Sequence, residues 1–570
     1  MAKIKPGKAF EKAIPNGFGG IRYTAALTGE SAARMRNFRV ASDGSLEKRN
    51  GMVTRYRSDG SVRAAWQGSL GSGNYFFFVS GNRVYVRLPG SETPGVCNLF
   101  PSADGPAFFV PYRGVLYLFA SGEIYRFSTA SGSFFTANGY APLYGDNWHP
   151  TELGHVNEPI NLLTPHLRVR YLNTVGSVNF RLPYTTVSID RVEVDGVAVN
   201  DYTFTPNTTT FRIPSDKAHG ALTVSFTISP AFIGRSLIAG AGGGYVYRGA
   251  ARETLLLYGG YRVFDSAPVT DAMLSAASYW YPNATDPLYF RDDCGLYVGD
   301  TQHPVHALCR DRDRVLALND QTAWAIEDVD GELVSYPLEG SAGCSAPNGL
   351  VLCGDDPVVL RRDGVFRLRF PSGDSNVCVS VPLSDGVSEL LPSSLLTGGI
   401  AAWHVDRGEL WLRDPAETAE GLVWVLRPEK QEWYCFDNVP ATVFFDLDGS
   451  PAFGTADGRI VLSDNGADAD DGNAISATYQ SHYLAFSEPE TPKRAYRLSV
   501  CADTGGETLS IHIQTDRYSR SFWAFGEATD APAFFDCRVS AGRFRFLRYT
   551  LSISGQVRSR IYRLSVFANP

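Results

Sequence analysis

One returning pattern narrows what this chain can fold into: a short apolar run, a polar turn with Gly, Asn or Asp, then a second alternating run ending on an aromatic or Leu. It reads Tyr75-Phe76-Phe77-Phe78-Val79-Ser80-Gly81-Asn82-Arg83-Val84-Tyr85-Val86 and then Val115-Leu116-Tyr117-Leu118-Phe119-Ala120-Ser121-Gly122-Glu123-Ile124-Tyr125-Arg126-Phe127, and it returns over residues 315–326, 358–368 and 451–462. Each copy predicts a β-hairpin, because period-two alternation buries one face of a strand while Ser-Gly, Asp-Gly or Asn-Asp supplies the positive φ of a tight turn. Hairpins returning every roughly 40–50 residues are the mark of a β-propeller.

The chain has 570 residues, 44% of them apolar and 20% charged, so it can bury a globular interior and is expected to hold several domains. Apolar residues at helical spacing are scarce, whereas Tyr, Phe, Val and Thr recur in short runs, which predicts an all-β fold. The net charge is −8 and no Lys/Arg-rich run of five or more occurs, which argues against a dedicated nucleic-acid-binding face. The basic start, Met1 to Lys8, is followed by no apolar segment, and no run approaches the roughly 20 residues that cross a bilayer, so a soluble protein with no membrane insertion is expected. Nine cysteines lie singly at Cys97, Cys294, Cys309, Cys344, Cys353, Cys378, Cys435, Cys501 and Cys537. Without CxxC pairs or clusters they read as free thiols of a protein made in a reducing cytoplasm.

Residues 1–50 are expected to form an arm with a turn at Ser42-Asp43-Gly44-Ser45, and residues 51–148 and 231–463 the propeller, of six or seven blades. Between them, residues 149–230 change texture. The Asp195-Gly196 hairpin and short strands at Tyr202–Phe204, Thr210–Ile213 and Leu222–Ile228 predict a small inserted β-sandwich. The stretch Asp464 to Gly472 reads as a polar linker before a C-terminal β-sandwich or jelly roll over residues 473–570. Within that last domain Tyr496-Arg497-Leu498-Ser499-Val500 is repeated as Tyr562-Arg563-Leu564-Ser565-Val566, two strands of one inside/outside pattern that could lie close together.

Residues of the types that carry chemistry lack the spacing that chemistry needs. Asp468, Asp470 and Asp471 with Gly472 partly resemble a Ca²⁺ loop but lack its closing Glu, and a solvated linker is the simpler reading. His303 with His306, and His149 with His155 around Glu152, are metal fragments without the three or four convergent ligands that zinc requires. Gly240-Ala241-Gly242-Gly243-Gly244 matches a phosphate loop in content only, with no Lys-Ser/Thr after it, and reads as a blade turn. A propeller glycosidase would need two carboxylates about 5–10 Å apart. The Ser-x-Asp-x-Gly-x-x-Trp box of sialidase-like propellers is missing, because Thr455-Ala456-Asp457-Gly458 runs on into Arg459-Ile460-Val461. No catalytic, cofactor or metal residue is therefore assigned, and the chain is expected not to be an enzyme.

Arg36-Asn37-Phe38-Arg39-Val40, followed by Asp43-Gly44-Ser45-Leu46-Glu47-Lys48-Arg49-Asn50-Gly51, resembles the opening of phage neck and tail-nozzle proteins of the tail tubular protein B type. In those proteins an asparagine-bearing strand leads through a "DG-x-L-x-KR-x-G" turn into a propeller; Asn50 stands where they more often carry proline. Residues 479–486 and 492–498 are similar to the β domain that ends related virion proteins. The resemblance implies a virion structural protein: a subunit of a homo-oligomeric ring, expected to be a hexamer, below the portal and adaptor. Such a ring would line the DNA exit channel, support tail fibre or tip proteins, and let DNA pass without specific binding. The alternatives are a carbohydrate-active propeller, either a tail-associated depolymerase or a glycosidase, and a siphophage tail-tip or receptor-binding component.

Overall fold

The computed structural model describes residues 10–13, 17–23, 31–100, 105–174, 176–228, 234–249, 253–259, 278–282, 286–299, 303–340, 343–371, 376–463, 465–485, 490–525, 532–539 and 542–569. The basic stretch 1–8 lies outside them. Helix is confined, among the described residues, to short segments such as Gly234–Ala239 and Ser393–Gly398; the rest of the regular structure is strand. No helix is long and apolar enough to cross a membrane.

Seven four-stranded antiparallel sheets make the propeller. Blade one spans residues 62–99, blade two 107–136, blade three 243–297, blade four 307–337, blade five 350–382, blade six 400–436 and blade seven 441–463. Their innermost strands touch in cyclic order, and the ring closes where Ala441–Leu447 of blade seven lies against Val62–Leu70 of blade one. Blade seven takes its fourth strand, Met52–Arg57, from the other end of the sequence, with Ser463 opposite Met52 and Arg459 opposite Arg57. Each expected hairpin is in place. Ser80 opposite Arg83 brackets the Gly81-Asn82 turn, and Ala120 opposite Glu123 brackets Ser121-Gly122, where both residues adopt positive φ. The alternation works as a propeller requires: Phe76 and Phe78 face blade seven, whereas Phe77 and Val79 pack toward blade two.

The inserted module carries seven strands within residues 143–228. Its two layers are continuous, because the 16-residue strand Asn179–Val194 pairs with Thr208–Arg212 along its first half and with Gly220–Ile228 along its second. The Asp195-Gly196 turn has φ 49° and 80°, both in the left-handed region that a two-residue hairpin needs. The module closes its own core around Trp148, Tyr171, Phe180, Phe211 and Phe226. Its two ends lie in one sheet: Leu143 of the first strand stands opposite Arg168, which in turn stands opposite Ser225 of the last strand.

The C-terminal sandwich has two six-stranded sheets, and here residues 1–50, expected as an arm, instead supply strands to both. Phe10–Ala13 pairs with Arg560–Asn569, Phe38–Val40 and Leu46–Lys48 extend the same sheet, and Ala32–Arg36 pairs with Ile475–Ser481 of the other. The cause is edge satisfaction. Strands at a sheet margin leave rows of unpaired N–H and C=O groups, and the N-terminal segments supply them with partners. The repeated pentapeptides are hydrogen-bonded neighbours, antiparallel, with Ser499 opposite Ser565 and Leu498 opposite Val566. Blades five to seven and the sandwich share one apolar cluster, running from Leu360, Trp411 and Phe453 to Tyr479 and Leu551.

Candidate functional site

Two places gather polar chemistry, the joint between propeller and sandwich and the axial cavity of the propeller. The joint is built from the residues of the N-terminal motif. Asn37 is fully buried at φ 56°, a conformation asparagine tolerates better than most residues, and its side chain is fully engaged. Its Nδ2 donates to Asp437 Oδ1 and to Ser476 O, both at 2.7 Å, and its Oδ1 accepts from Arg49 Nε at 2.9 Å. Arg49, 2% exposed, grips Asp470 with both terminal nitrogens, at 2.8 and 2.6 Å. Asp470 accepts further from Asn438 Nδ2 and from the backbone N–H of Met52, the residue that opens the closing strand. Arg39 pairs in the same bidentate manner with Glu409, which is 0% exposed, and its guanidinium lies 5.0 Å from the Phe436 ring centre. Lys48 donates to Gly555 O, and burial pulls its ammonium pKa below 10.5. Charged groups this deep are tolerated because every one is met by an opposite charge or a carbonyl.

The aspartates expected in a solvated linker, or in a partial Ca²⁺ loop, thus have other work. Asp468 pairs with Arg558 at 3.1 Å, Asp470 with Arg49, and Asp471 accepts from the backbone and hydroxyl of Thr54. Their carboxylates serve three different partners and do not converge on a point. Gly51 passes so close to this loop that an added Cβ would stand 2.1 Å from Ala469 O. The histidine fragments are also apart. His303 meets Asp320 at 2.8 Å, His306 meets Cys344 O, and the carbonyl of His155 accepts from Trp148 Nε1. No group of three or more His, Cys, Asp or Glu among the described residues is placed to hold a metal. Gly240-Ala241-Gly242 connects the helix Gly234–Ala239 to the inner strand of blade three, and Gly242 donates to Tyr258 O. The cysteines stand free, and burial pushes the thiols of Cys97, Cys294, Cys344, Cys353 and Cys435 up to about 12.

The axial cavity, about 620 Å³, is walled by segments of all seven blades. Its ionisable wall residues among those described are Arg63, Tyr258, His404 and Asp446. His404 is 6% exposed and packs edge-on against Trp411, ring centres 4.3 Å apart, so it acts as part of an aromatic stack. Burial, and then repulsion from Asp406, raise the Asp446 pKa above its ordinary 3.8. Asp406 lies in the turn Val405–Arg407 and not on the wall, so the wall itself holds one carboxylate where glycoside hydrolysis takes two. The joint could have been anticipated from the density of charge in the motif; its partners, some 400 residues away, could not.

No protein-family model and no curated protein matches the chain. Among solved structures, the Dos1 propeller aligns with 73% of this chain and 94% of its own at 9% identity and a TM-score of 0.34. The AfRom2 CNH domain aligns with 73% of this chain and 99% of its own at 8% identity and a TM-score of 0.33. A glycoside hydrolase covers 90% of this chain and 100% of its own at 12% identity, with a TM-score of 0.22. None of these likenesses bears on what the chain does.

Proposed function

We propose that the chain is a structural subunit of a phage tail nozzle, one of a ring of identical copies lining the path by which DNA leaves the particle. The observation that carries the reading is the fate of the motif behind the resemblance: Asn37, Arg39 and Arg49 are buried and taken up in fastening the propeller to the terminal sandwich, while buried Lys48 ties the two sheets of the sandwich to each other. A motif used in this way serves rigidity, which a load-bearing ring needs and turnover does not. The net charge of −8 favours a conduit that does not hold DNA, since each neutralised phosphate would strengthen binding and make it salt-sensitive. The ring requires heterologous interfaces that close on themselves.

The test is to image purified particles with an antibody fragment bound to this chain, and to assay the isolated protein. Label in a ring at the tail, negligible duplex DNA binding at moderate ionic strength and no release of reducing sugar from capsule preparations are expected. Particles without the chain would overturn the reading, as would saccharide cleavage lost on substituting a single Asp or Glu.

A further inference from the structure

At the propeller face where each innermost strand ends, a second cavity of about 470 Å³ opens between blades two, three and four. Four arginines, Arg248, Arg310, Arg312 and Arg314, stand on its wall, and among the described residues no carboxylate does. Arg314 is buried and bonds Asp311 at 2.8 Å. Arg248 reaches Glu253 at 3.2 Å with 80% of its own side chain exposed, a contact that solvent leaves weak. Arg310 gives its Nε to the Arg312 carbonyl at 2.6 Å, so its terminal amino groups stay available, and the Arg312 side chain has no partner among the described residues. Burial holds the Tyr245 hydroxyl above its ordinary 10.0 while the Arg310 and Arg248 guanidiniums both pull against it, which puts the two cations near one ring. Part-exposed Phe109 and Tyr245 add an apolar floor.

We propose that this cavity binds a small oxyanion ligand, one bearing phosphate or carboxylate groups and no larger than a sugar phosphate. Two guanidinium forks without a carboxylate partner among the described residues, Arg310 and Arg312, and a third, Arg248, held only by a solvent-weakened contact, offer the planar, paired donors that such groups take up. The volume lies in the range of small-molecule sites and is too small for a duplex. Arg310 and Arg312 also border a neighbouring cavity of about 830 Å³. There Asp355 and Asp356 stand beside Arg369, so the charge is balanced and an anion gains less. This inference is independent of the nozzle reading.

Calorimetric titration of the full chain with inorganic pyrophosphate and with citrate tests it. At least one should bind, and the Arg310→Ser/Arg312→Ser double variant should weaken that binding by about tenfold or more, the loss of at least one charge-assisted fork. Arg191→Ser, which removes a 62% exposed arginine of the inserted module, should leave it unchanged. Preference for pyrophosphate assigns phosphate, and preference for citrate assigns carboxylate. Hydrogen-exchange protection on adding the preferred anion should fall at residues 244–248 and 310–314, a readout that needs no variant. No binding of either anion, equal weakening by Arg191→Ser, or tighter binding of a 12-base-pair duplex through the same arginines would overturn the proposal.

Discussion

The inserted module and the terminal sandwich are both all-β appendages of one propeller, yet the first closes a core of its own while the second shares one with blades five to seven. The difference lies in how the chain crosses between units. The insertion's first strand, Leu143–Trp148, lies beside His166–Asn173, which pairs with its last strand, Gly220–Ile228, so its two ends share one sheet and its contacts are local to it. The sandwich is crossed twice: N-terminal strands enter its sheets, and the next strand, Met52–Arg57, enters blade seven. Autonomy in a domain is therefore set by where strands are exchanged, not by the strength of its alternating pattern, which is similar in both.

The largest effect that would break this comparison is at the buried pair of the joint. Arg49→Met leaves Asp470 buried without its counter-charge and is expected to cost about 3–5 kcal/mol, with propeller and sandwich unfolding in one transition by calorimetry. Two separate transitions would mean that the shared core does not couple them. The double variant Arg49→Met/Asp470→Leu sharpens the point, because an apolar pair should recover much of the loss.

Next in size is the core of the insertion. Phe211→Ala removes a ring that is 3% exposed and stacks on Phe180 at 5.2 Å, and should cost about 3–5 kcal/mol. Hydrogen exchange should rise within residues 143–228 and stay level in the blades; a rise spreading to blade two or three would remove the claim of autonomy.

The smallest effect concerns ring closure. Asp448 of blade seven bonds Arg87 of blade one, and that hydrogen bond, against the opposing effect of burial, lowers its pKa from 3.8 to about 2. A lowered folded-state pKa contributes stability above 3.8 and loses it as the pH falls toward 2. The carboxylate is 48% exposed, so Asp448→Asn should cost no more than about 1 kcal/mol at neutral pH. Urea titrations should show the gap from the native protein closing between pH 3.8 and 2. A gap that persists at pH 2 would assign the effect to something other than the charge.

The hairpins were legible because alternation and turn residues are local: Ser121-Gly122 states its own geometry wherever the sheet ends up. The same holds for the twin pentapeptides, whose shared pattern places them on equivalent faces of one sheet. Pairing over long separations was not legible. Nothing in Met52–Arg57 says that its partner is Arg459–Ser463, and nothing in Asp470 says that its oxygens belong to Arg49. An acidic, glycine-bearing stretch reads as solvated when its cations are hundreds of residues away. The arginine cavity was hidden for a related reason, since Arg248 and Arg310 are dispersed in sequence and gathered only by the ring.

The strand that completes blade seven has a consequence in time. It leaves the ribosome roughly 400 residues before its partner, which at about 5–20 residues per second is a wait of about 20–80 s. For that interval the first strands have no sheet to join, and a chain cut short anywhere before residue 459 keeps an open margin on its last blade and no terminal sandwich. The fold thus carries its own checkpoint on synthesis: only a chain that has reached Ser463 can hide the margin of its last blade.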